Sequence, residues 1–246
     1  MNIALILSGG TGTRLGADIP KQYIKINERM IISYCLETFC RCDAIDTIWV
    51  VANEDWYEAI RKEMQNIVES SPVASELQEN ARKLKGFSQP GETRQLSIYN
   101  GLKDIAEFAS EDDIIIIHDA ARPLVTEMTI RELLAQATAH DGAIPVLPMK
   151  DTVYFSEDGQ CITSLLERKC VFAGQAPESF KFDKYYEANK RLLPDEIYRI
   201  NGSTEPAILA GLDIAMIDGD ESNFKITTKQ DLERFEQMLE KNNWKL

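Results

Sequence analysis

The sequence predicts one α/β domain: a Rossmann-like, mainly parallel sheet flanked by helices, with a β-hairpin arm. Three observations predict it. Short apolar runs of strand length recur at residues 3–7, 47–52, 113–117 and 143–147, the third holding four consecutive isoleucines. Unbroken runs of this kind mark strands buried on both faces, as in a parallel sheet. Segments with helical apolar spacing lie between them, and that alternation marks βαβ units. Gly9, Gly10 and Gly12 follow the first run at once. In open parallel sheets ligands bind just beyond the C-terminal strand ends, where this glycine turn falls.

Each element has its own signal. Residues 30–39 carry helical spacing at Ile31, Ile32, Cys35, Leu36 and Phe39. A strand at 47–52 and a helix at 54–67 follow. Residues 69–79 are polar and Ser-rich with Pro72, and read as a surface helix or loop. A short strand is expected at 83–87, then a turn through Pro90-Gly91 into a helix reaching Phe108. The isoleucine strand at 113–117 is followed by a helix at 126–139, with Thr126 in an N-cap position, and a strand at 143–147. Residues 150–173 break the alternation and read as a hairpin turning at Asp158-Gly159. A lone hairpin is marginal in water, so it needs something to pack on, a second copy being one candidate. Beyond it come a strand at 169–174, helices at 182–192 and 204–211, a strand at 213–217 and a final helix at 229–240. Thr228 and Asp231 open that helix in a pattern resembling a capping box. The reading is one domain over 1–246, with 150–173 as the arm.

Composition narrows the function. The 246 residues are 44% hydrophobic and carry a net charge of −13. That balance argues against nucleic acid or an anionic membrane surface as partner. No apolar run approaches the ~20 residues of a membrane helix. The chain opens directly on a strand, without a basic segment or cleavage site, so a cytoplasmic location is the expectation. The five cysteines (Cys35, Cys40, Cys42, Cys161, Cys170) show no zinc spacing, and only two histidines exist. They read as reduced thiols. An acidic protein that binds polyphosphate must gather positive charge in one cleft, with a divalent cation as further help.

Ile3 to Leu7, the glycine turn, Arg14 and Lys21 make such a cradle. Glycine lets main-chain N–H groups approach a ligand, and successive N–H groups form an anion nest. The turn is neither a P-loop nor a dinucleotide fingerprint, because no Gly-Lys-Ser/Thr closes it and Gly16 comes one place late. An ordinary strand-to-helix glycine turn is the alternative. His118-Asp119-Ala120-Ala121-Arg122-Pro123 ends the isoleucine strand. There Asp119 either holds Mg2+ against phosphate oxygens or caps the next turn. Arg122 either meets a phosphate or ties the loop by an ion pair, and His118 is assigned no chemistry. Pro90-Gly91-Glu92-Thr93-Arg94 with Ser97 opens a helix whose N-terminal N–H groups and Ser97 hydroxyl can read the edge of a base; a plain helix start is the alternative. Lys225, between a strand and a helix, gains meaning only if it meets the first loop in space.

Gly9-Gly10-Thr11-Gly12-Thr13-Arg14-Leu15-Gly16, Pro20-Lys21-Gln22-Tyr23, Gly91-Glu92-Thr93-Arg94 with Ser97, the His118–Pro123 segment, Lys150-Asp151-Thr152 and Asn223-Phe224-Lys225-Ile226-Thr227 occur in this order. Together they resemble the methylerythritol-phosphate and ribitol-phosphate cytidylyltransferases over nearly the whole chain. The resemblance implies a nucleotidyltransferase that joins CTP to a polyol phosphate, with Mg2+ as cofactor. Arg14, Lys21 and Lys225 would surround the CTP phosphates and the transition state. Leu7, Ser8, Gly9, Gly91, Glu92 and Ser97 would surround the cytosine and ribose, with Gly10, Thr11 and Gly12 completing the nucleotide loop. Asp119 would bind Mg2+. Arg122, Thr152 and Arg168 would contact the acceptor phosphate, Arg168 serving the neighbouring subunit of a homodimer through an exchanged arm. Two segments depart from the family pattern. Gln175-Ala176-Pro177-Glu178 replaces a commoner Gln-Thr-Pro-Gln, losing a hydroxyl and gaining a negative charge. Ser203-Thr204-Glu205-Pro206-Ala207 replaces a Thr-Asp-Asp/Glu-Ala-like segment. Both lie in the acceptor half, which leaves methylerythritol, ribitol, arabinitol and glycerol phosphates open as acceptors.

Overall fold

A computed structural model describes residues 1–10, 19–69 and 81–241. Arg14, Thr11, Gly12 and, after Glu69, the polar 69–79 segment lie outside the described residues. The first strand, β1 (Asn2–Leu7), is followed by a small hairpin, β2 (Lys25–Ile26) and β3 (Arg29–Met30), and then α1 (Ile31–Arg41). Next come β4 (Thr47–Val51), α2 (Tyr57–Glu69), β5 (Leu84–Ser88), α3 (Arg94–Ile105), β6 (Ile114–Asp119), α4 (Glu127–Ala139) and β7 (Gly142–Pro148). The arm holds β8 (Tyr154–Phe155) and β9 (Ser164–Leu165). After it come β10 (Phe172–Gly174), β11 (Glu178–Lys181), α5 (Phe182–Lys190), α6 (Glu205–Leu209), β12 (Ile214–Asp218) and α7 (Lys229–Lys241).

The eight-stranded sheet runs β10-β7-β11-β6-β1-β4-β5, with β12 also paired to β7. β1 lies parallel between β4 and β6, and β5 and β12 join parallel as well. The mainly parallel sheet expected from the apolar runs is therefore present. The strand pleat sends alternate residues to opposite layers. Ala4, Ile6 and Ile116 pack with α1 and α2 through Leu36, Phe39, Ile60 and Met64. Ile3, Leu5, Ile115 and Ile117 pack with α3 and α5 through Ile98, Leu102, Phe182 and Tyr185. A run buried on both faces must be apolar throughout, and so the four-isoleucine strand has no polar alternation.

β11 is absent from the sequence expectations. It inserts antiparallel between β6 and β7, with Glu178 opposite Ile117 and Ser179 opposite both Ile116 and Ala143. Its Glu-Ser-Phe-Lys sequence has no apolar run. The Ser179 hydroxyl donates to the Leu133 carbonyl at 3.0 Å, so its polarity is satisfied by a distant helix. The β2-β3 hairpin was likewise not expected. Asn27 and Glu28 both take positive φ, the type I′ arrangement. The strand expected at 169–174 is shorter, a turn of 3-10 helix at Arg168–Cys170 preceding β10. The helix caps follow the sequence: Thr126 accepts from the Thr129 N–H, and Thr228 and Asp231 bond to one another's N–H groups.

The arm turns at Asp158-Gly159 as expected, Gly159 taking φ +70° and the Asp158 carboxylate accepting from the N–H groups of Gln160 and Cys161. β8 and β9 pair antiparallel. Tyr154, Phe155, Ile162 and Leu165 remain exposed along it.

Candidate active site

Four parallel strands end at one edge, and their registers align the site. Leu7 stands beside both Val51 and Asp119, so β1, β4 and β6 finish level. The Ser8 N–H donates to the Val51 carbonyl and the Ala120 N–H to the Leu7 carbonyl. That edge is the rim of a cavity of about 430 Å3. Leu7, Gly9, Gly10, Lys21, Gly91, Glu92, Ser97, Asp119 and Lys225 all line it. Segments more than two hundred residues apart thus converge as the sequence reading requires.

The glycine turn is clamped. Gln22 Nε2 donates to the carbonyls of Ser8 (2.6 Å) and Gly10 (2.8 Å), which leaves the turn's N–H groups uninvolved in that clamp. Tyr23, stacked on Trp56, shares hydrogen bonds with Ser8. A Cβ on Gly9 would fall 2.4 Å from Pro90 Cβ, so only glycine lets the first loop meet the 90–97 loop. Ser97 is buried and does not face the cavity as a free hydroxyl. Its Oγ accepts from the Gly91 N–H (3.0 Å) and donates to the Thr93 carbonyl (2.9 Å), holding the turn in shape.

Asp119 is the electrostatic hub. Arg94 bonds its Oδ1 at 3.1 Å and Lys225 its Oδ2 at 3.0 Å, while Arg122 stands 3.8 Å from Oδ2. Burial alone would raise the carboxyl's pKa; Arg94, Lys225 and Arg122 outweigh it and hold Asp119 well below the usual carboxylate range. The carboxylate stays charged at any working pH. Lys225 therefore meets the first loop in space, and Lys21 completes the connection. Its Nζ donates to the Ile226 carbonyl at 2.5 Å. Arg122 donates to the Asn223 carbonyl at 2.6 Å, so it braces the segment that carries Lys225. His118 is fully buried, hydrogen-bonds the Arg122 carbonyl, and is pushed down to about 4 by burial, which leaves it a neutral packing residue.

Thr152 and Arg168 are not brought to this cavity. They line a separate hollow of about 330 Å3 in the arm with Leu165, Leu166 and Glu167, and Arg168 donates to the Lys150 carbonyl. Three contributors went unassigned from sequence: Arg94, Gln22 and Thr227, the last also a lining residue. Arg94 had a legible signal. A cation in the first turn of a helix opposes the helix dipole and so implies a specific anion nearby. Gln22 had none, since its targets are backbone carbonyls.

A parallel sheet whose C-terminal edge carries a glycine turn, a buried charged carboxylate and converging lysines and arginines has the geometry and charge of an anion-binding site of the α/β class. The chain belongs to the 2-C-methyl-D-erythritol 4-phosphate cytidylyltransferase (IspD) family, whose model matches residues 2–241. Membership places it among the CTP-dependent cytidylyltransferases. It is 33% identical to the 2-C-methyl-D-erythritol 4-phosphate cytidylyltransferase of Syntrophotalea carbinolica over 93% of this chain and 91% of that one. It is 27% identical to the ribitol-5-phosphate cytidylyltransferase of Lacticaseibacillus paracasei over 97% and 98% of the two chains. The fold matches that of the 4-diphosphocytidyl-2C-methyl-D-erythritol synthase of Anaerococcus prevotii with a TM-score of 0.78, covering 97% of this chain and 96% of that one at 22% identity.

Proposed function

We propose that this chain transfers the cytidylyl group of CTP to a small polyol phosphate of the 2-C-methyl-D-erythritol 4-phosphate or ribitol 5-phosphate type, releasing pyrophosphate. The observation that carries this reading is the shared cavity: Lys21, Lys225 and Asp119 meet the glycine turn and the 90–97 loop in it. An oxygen of the acceptor phosphate attacks the α-phosphorus in line, forming one P–O bond as the bond to pyrophosphate breaks. No covalent nucleophile is needed. The site must position two anions and neutralise charge that grows on the α-phosphate and the leaving group. Lys21 and Lys225, with Arg14 from the same loop sequence, supply that charge. The backbone of Gly91 and the shape fixed by Ser97 supply a surface for the base. The loops around Leu7, Ser8 and Gly9 lie beside it.

A divalent cation fits the donor set. Among the described residues no three His, Cys, Asp or Glu side chains cluster, so a protein cage is absent. A hard carboxylate at a phosphate cradle suits Mg2+, which keeps waters and takes further oxygens from substrate phosphates. Asp119 would hold it. Bound there, the cation would neutralise phosphate charge as the reaction proceeds.

The exposed apolar residues of the arm support a homodimer in which Thr152 and Arg168 reach the partner's acceptor phosphate. A non-catalytic nucleotide sensor is disfavoured, because such a protein has no need to keep Lys21, Asp119 and Lys225 around one cavity. Pyrophosphate release should be followed with CTP and Mg2+ against methylerythritol, ribitol, arabinitol and glycerol phosphates separately. Fast turnover with one acceptor is expected. Tight CTP binding without turnover on any of them would favour the sensor. Full activity in a species that sediments as a monomer would remove the exchanged arm.

A further inference from the structure

Lys225 sits in a stretch with no regular structure of its own. Residues 219–228 join β12 to α7 without a strand or a helix. Two backbone hydrogen bonds tie that stretch to the rest of the fold. The Gly219 N–H donates to the Val146 carbonyl at 2.9 Å, and the Ile226 N–H to the Ala121 carbonyl at 2.8 Å. Between these anchors the chain that aims Lys225 is held by side chains. Arg122 is one, through the Asn223 carbonyl. Gln175 is another.

Gln175 follows β10, is 6% exposed and lines neither cavity described above. The sequence placed its segment in the acceptor half, yet its amide is engaged with backbone. Its Oε1 accepts from the Asp220 N–H at 3.0 Å, and its Nε2 donates to the Asp220 carbonyl at 2.9 Å. Pairing in both directions fixes which way the amide points, because the reversed amide would set donor on donor and acceptor on acceptor. Nε2 also reaches the Asn223 carbonyl at 3.4 Å. Asn223 answers through Nδ2, which donates to the Ala176 carbonyl at 2.8 Å.

The approach is built into both partners. The Gln175 N–H donates to the Pro145 carbonyl at 2.8 Å, so its side chain starts from the central sheet. A Cβ on Gly219 would fall 2.5 Å from Gln175 Oε1 and 2.9 Å from the Val146 carbonyl oxygen. The segment comes this close because residue 219 is glycine. Lys150 and Arg234 also reach the segment, both at Glu221, but both are exposed. Gln175 and Asn223 are buried, where hydrogen bonds are stronger than in water.

We infer that Gln175 is a positioning residue: it clamps the turn from Asp220 to Asn223 and so holds Lys225 at Asp119 and the cavity. The inference rests on the reading of Lys225 as a charge that faces the nucleotide phosphates during transfer. Gln175 itself touches no reacting atom. A small misplacement of a reacting or stabilising group by a distant change costs up to ~10² in rate.

Gln175→Ala should therefore lower turnover by ~10–10². Turnover is read with CTP, Mg2+ and whichever of methylerythritol 4-phosphate and ribitol 5-phosphate the unmodified enzyme uses. The loss should fall on kcat more than on KM, since the misplaced charge acts chiefly in the transition state. In a Lys225→Met background the same substitution should leave turnover unchanged, because no ammonium remains to be misplaced. An equal loss in both backgrounds would mean that Gln175 only supports the fold and would overturn the inference, as would unchanged turnover in Gln175→Ala alone. Lys225→Met by itself tests the reading underneath. If it turns over like the unmodified enzyme, Lys225 is not the charge in question and the inference goes with it. If it is impaired while the Gln175 loss stays additive, only the clamp fails. Gln175→Met keeps the side-chain volume and removes both bonds to Asp220, which serves where alanine leaves the protein unfolded. A folded Gln175→Met enzyme with full turnover sinks the idea. A second readout needs no acceptor. The Lys225 methylene resonance next to Nζ, assigned by its absence in Lys225→Met, should move in Gln175→Met; an unmoved resonance also overturns the inference.

Discussion

Replacing Asp119 with asparagine should lower turnover by ~10²–10³ while leaving metal-free CTP binding no weaker. The two halves of this result have one cause. Asp119 neutralises Arg94 and Lys225, which line the cavity with it, and Arg122 stands 3.8 Å from its Oδ2. Without its charge those cations face the nucleotide phosphates less compensated, which favours binding of an anion. The same change removes the carboxylate proposed to hold the divalent ion, and the cation-dependent part of the rate should go with it. Folding stability should fall too. Removing one partner of a buried ion pair typically costs about 3–5 kcal/mol, because the remaining charges are left unbalanced. Asparagine keeps the shape and some hydrogen bonding, so the lower figure is expected. Steady-state kinetics, calorimetry in EDTA and a urea titration test these claims separately. Turnover within threefold of the unmodified enzyme would remove Asp119 from the chemistry.

Lys21→Met should have a comparable effect on rate, again ~10²–10³, with a smaller effect on CTP affinity. Lys21 follows Pro20 at the start of a 3-10 turn. Its ammonium reaches the Ile226 carbonyl at 2.5 Å and lines the same cavity as Lys225 and the glycine turn. Methionine preserves the stem and removes the charge. Charge that contributes chiefly when the leaving group develops its own appears in turnover more than in binding. Single-turnover measurement of CTP consumption, with saturating acceptor, isolates that step. A Lys21→Met enzyme with unchanged single-turnover rate would show that Lys21 serves the fold of the loop and not the transition state.

Much of the site was readable in the chain because its parts are local. A glycine turn needs Gly9 next to Gly10, a helix start needs Thr93 or Thr126 before its first N–H groups, and a strand end needs only the residue after the apolar run. Asp119 and Gly91 were placed on this ground. Ser97 was legible as a site residue and illegible in its role: its hydroxyl proved to hold the turn. Arg122 likewise sits at the site yet is engaged with the Asn223 carbonyl. Such outcomes depend on which partner a side chain meets, and partners more than a turn away are not encoded in spacing.

The sequence by itself determined the layered α/β class, the order of the parallel strands' apolar runs, the hairpin arm with its Asp158-Gly159 turn and the strand edge at which the cavity opens. Each of these follows from period, turn chemistry or the burial of a strand on both faces. Only the tertiary structure decided that β11 enters the sheet antiparallel, that Lys225 meets both Lys21's segment and Asp119, and that Glu178 is buried opposite Ile117. The physical reason is common to all three. They are pairings between residues about 60 to 205 positions apart, made by hydrogen bonds and charges whose energy depends on distance in space, and a polar residue in a one-dimensional chain carries no record of the partner that will satisfy it.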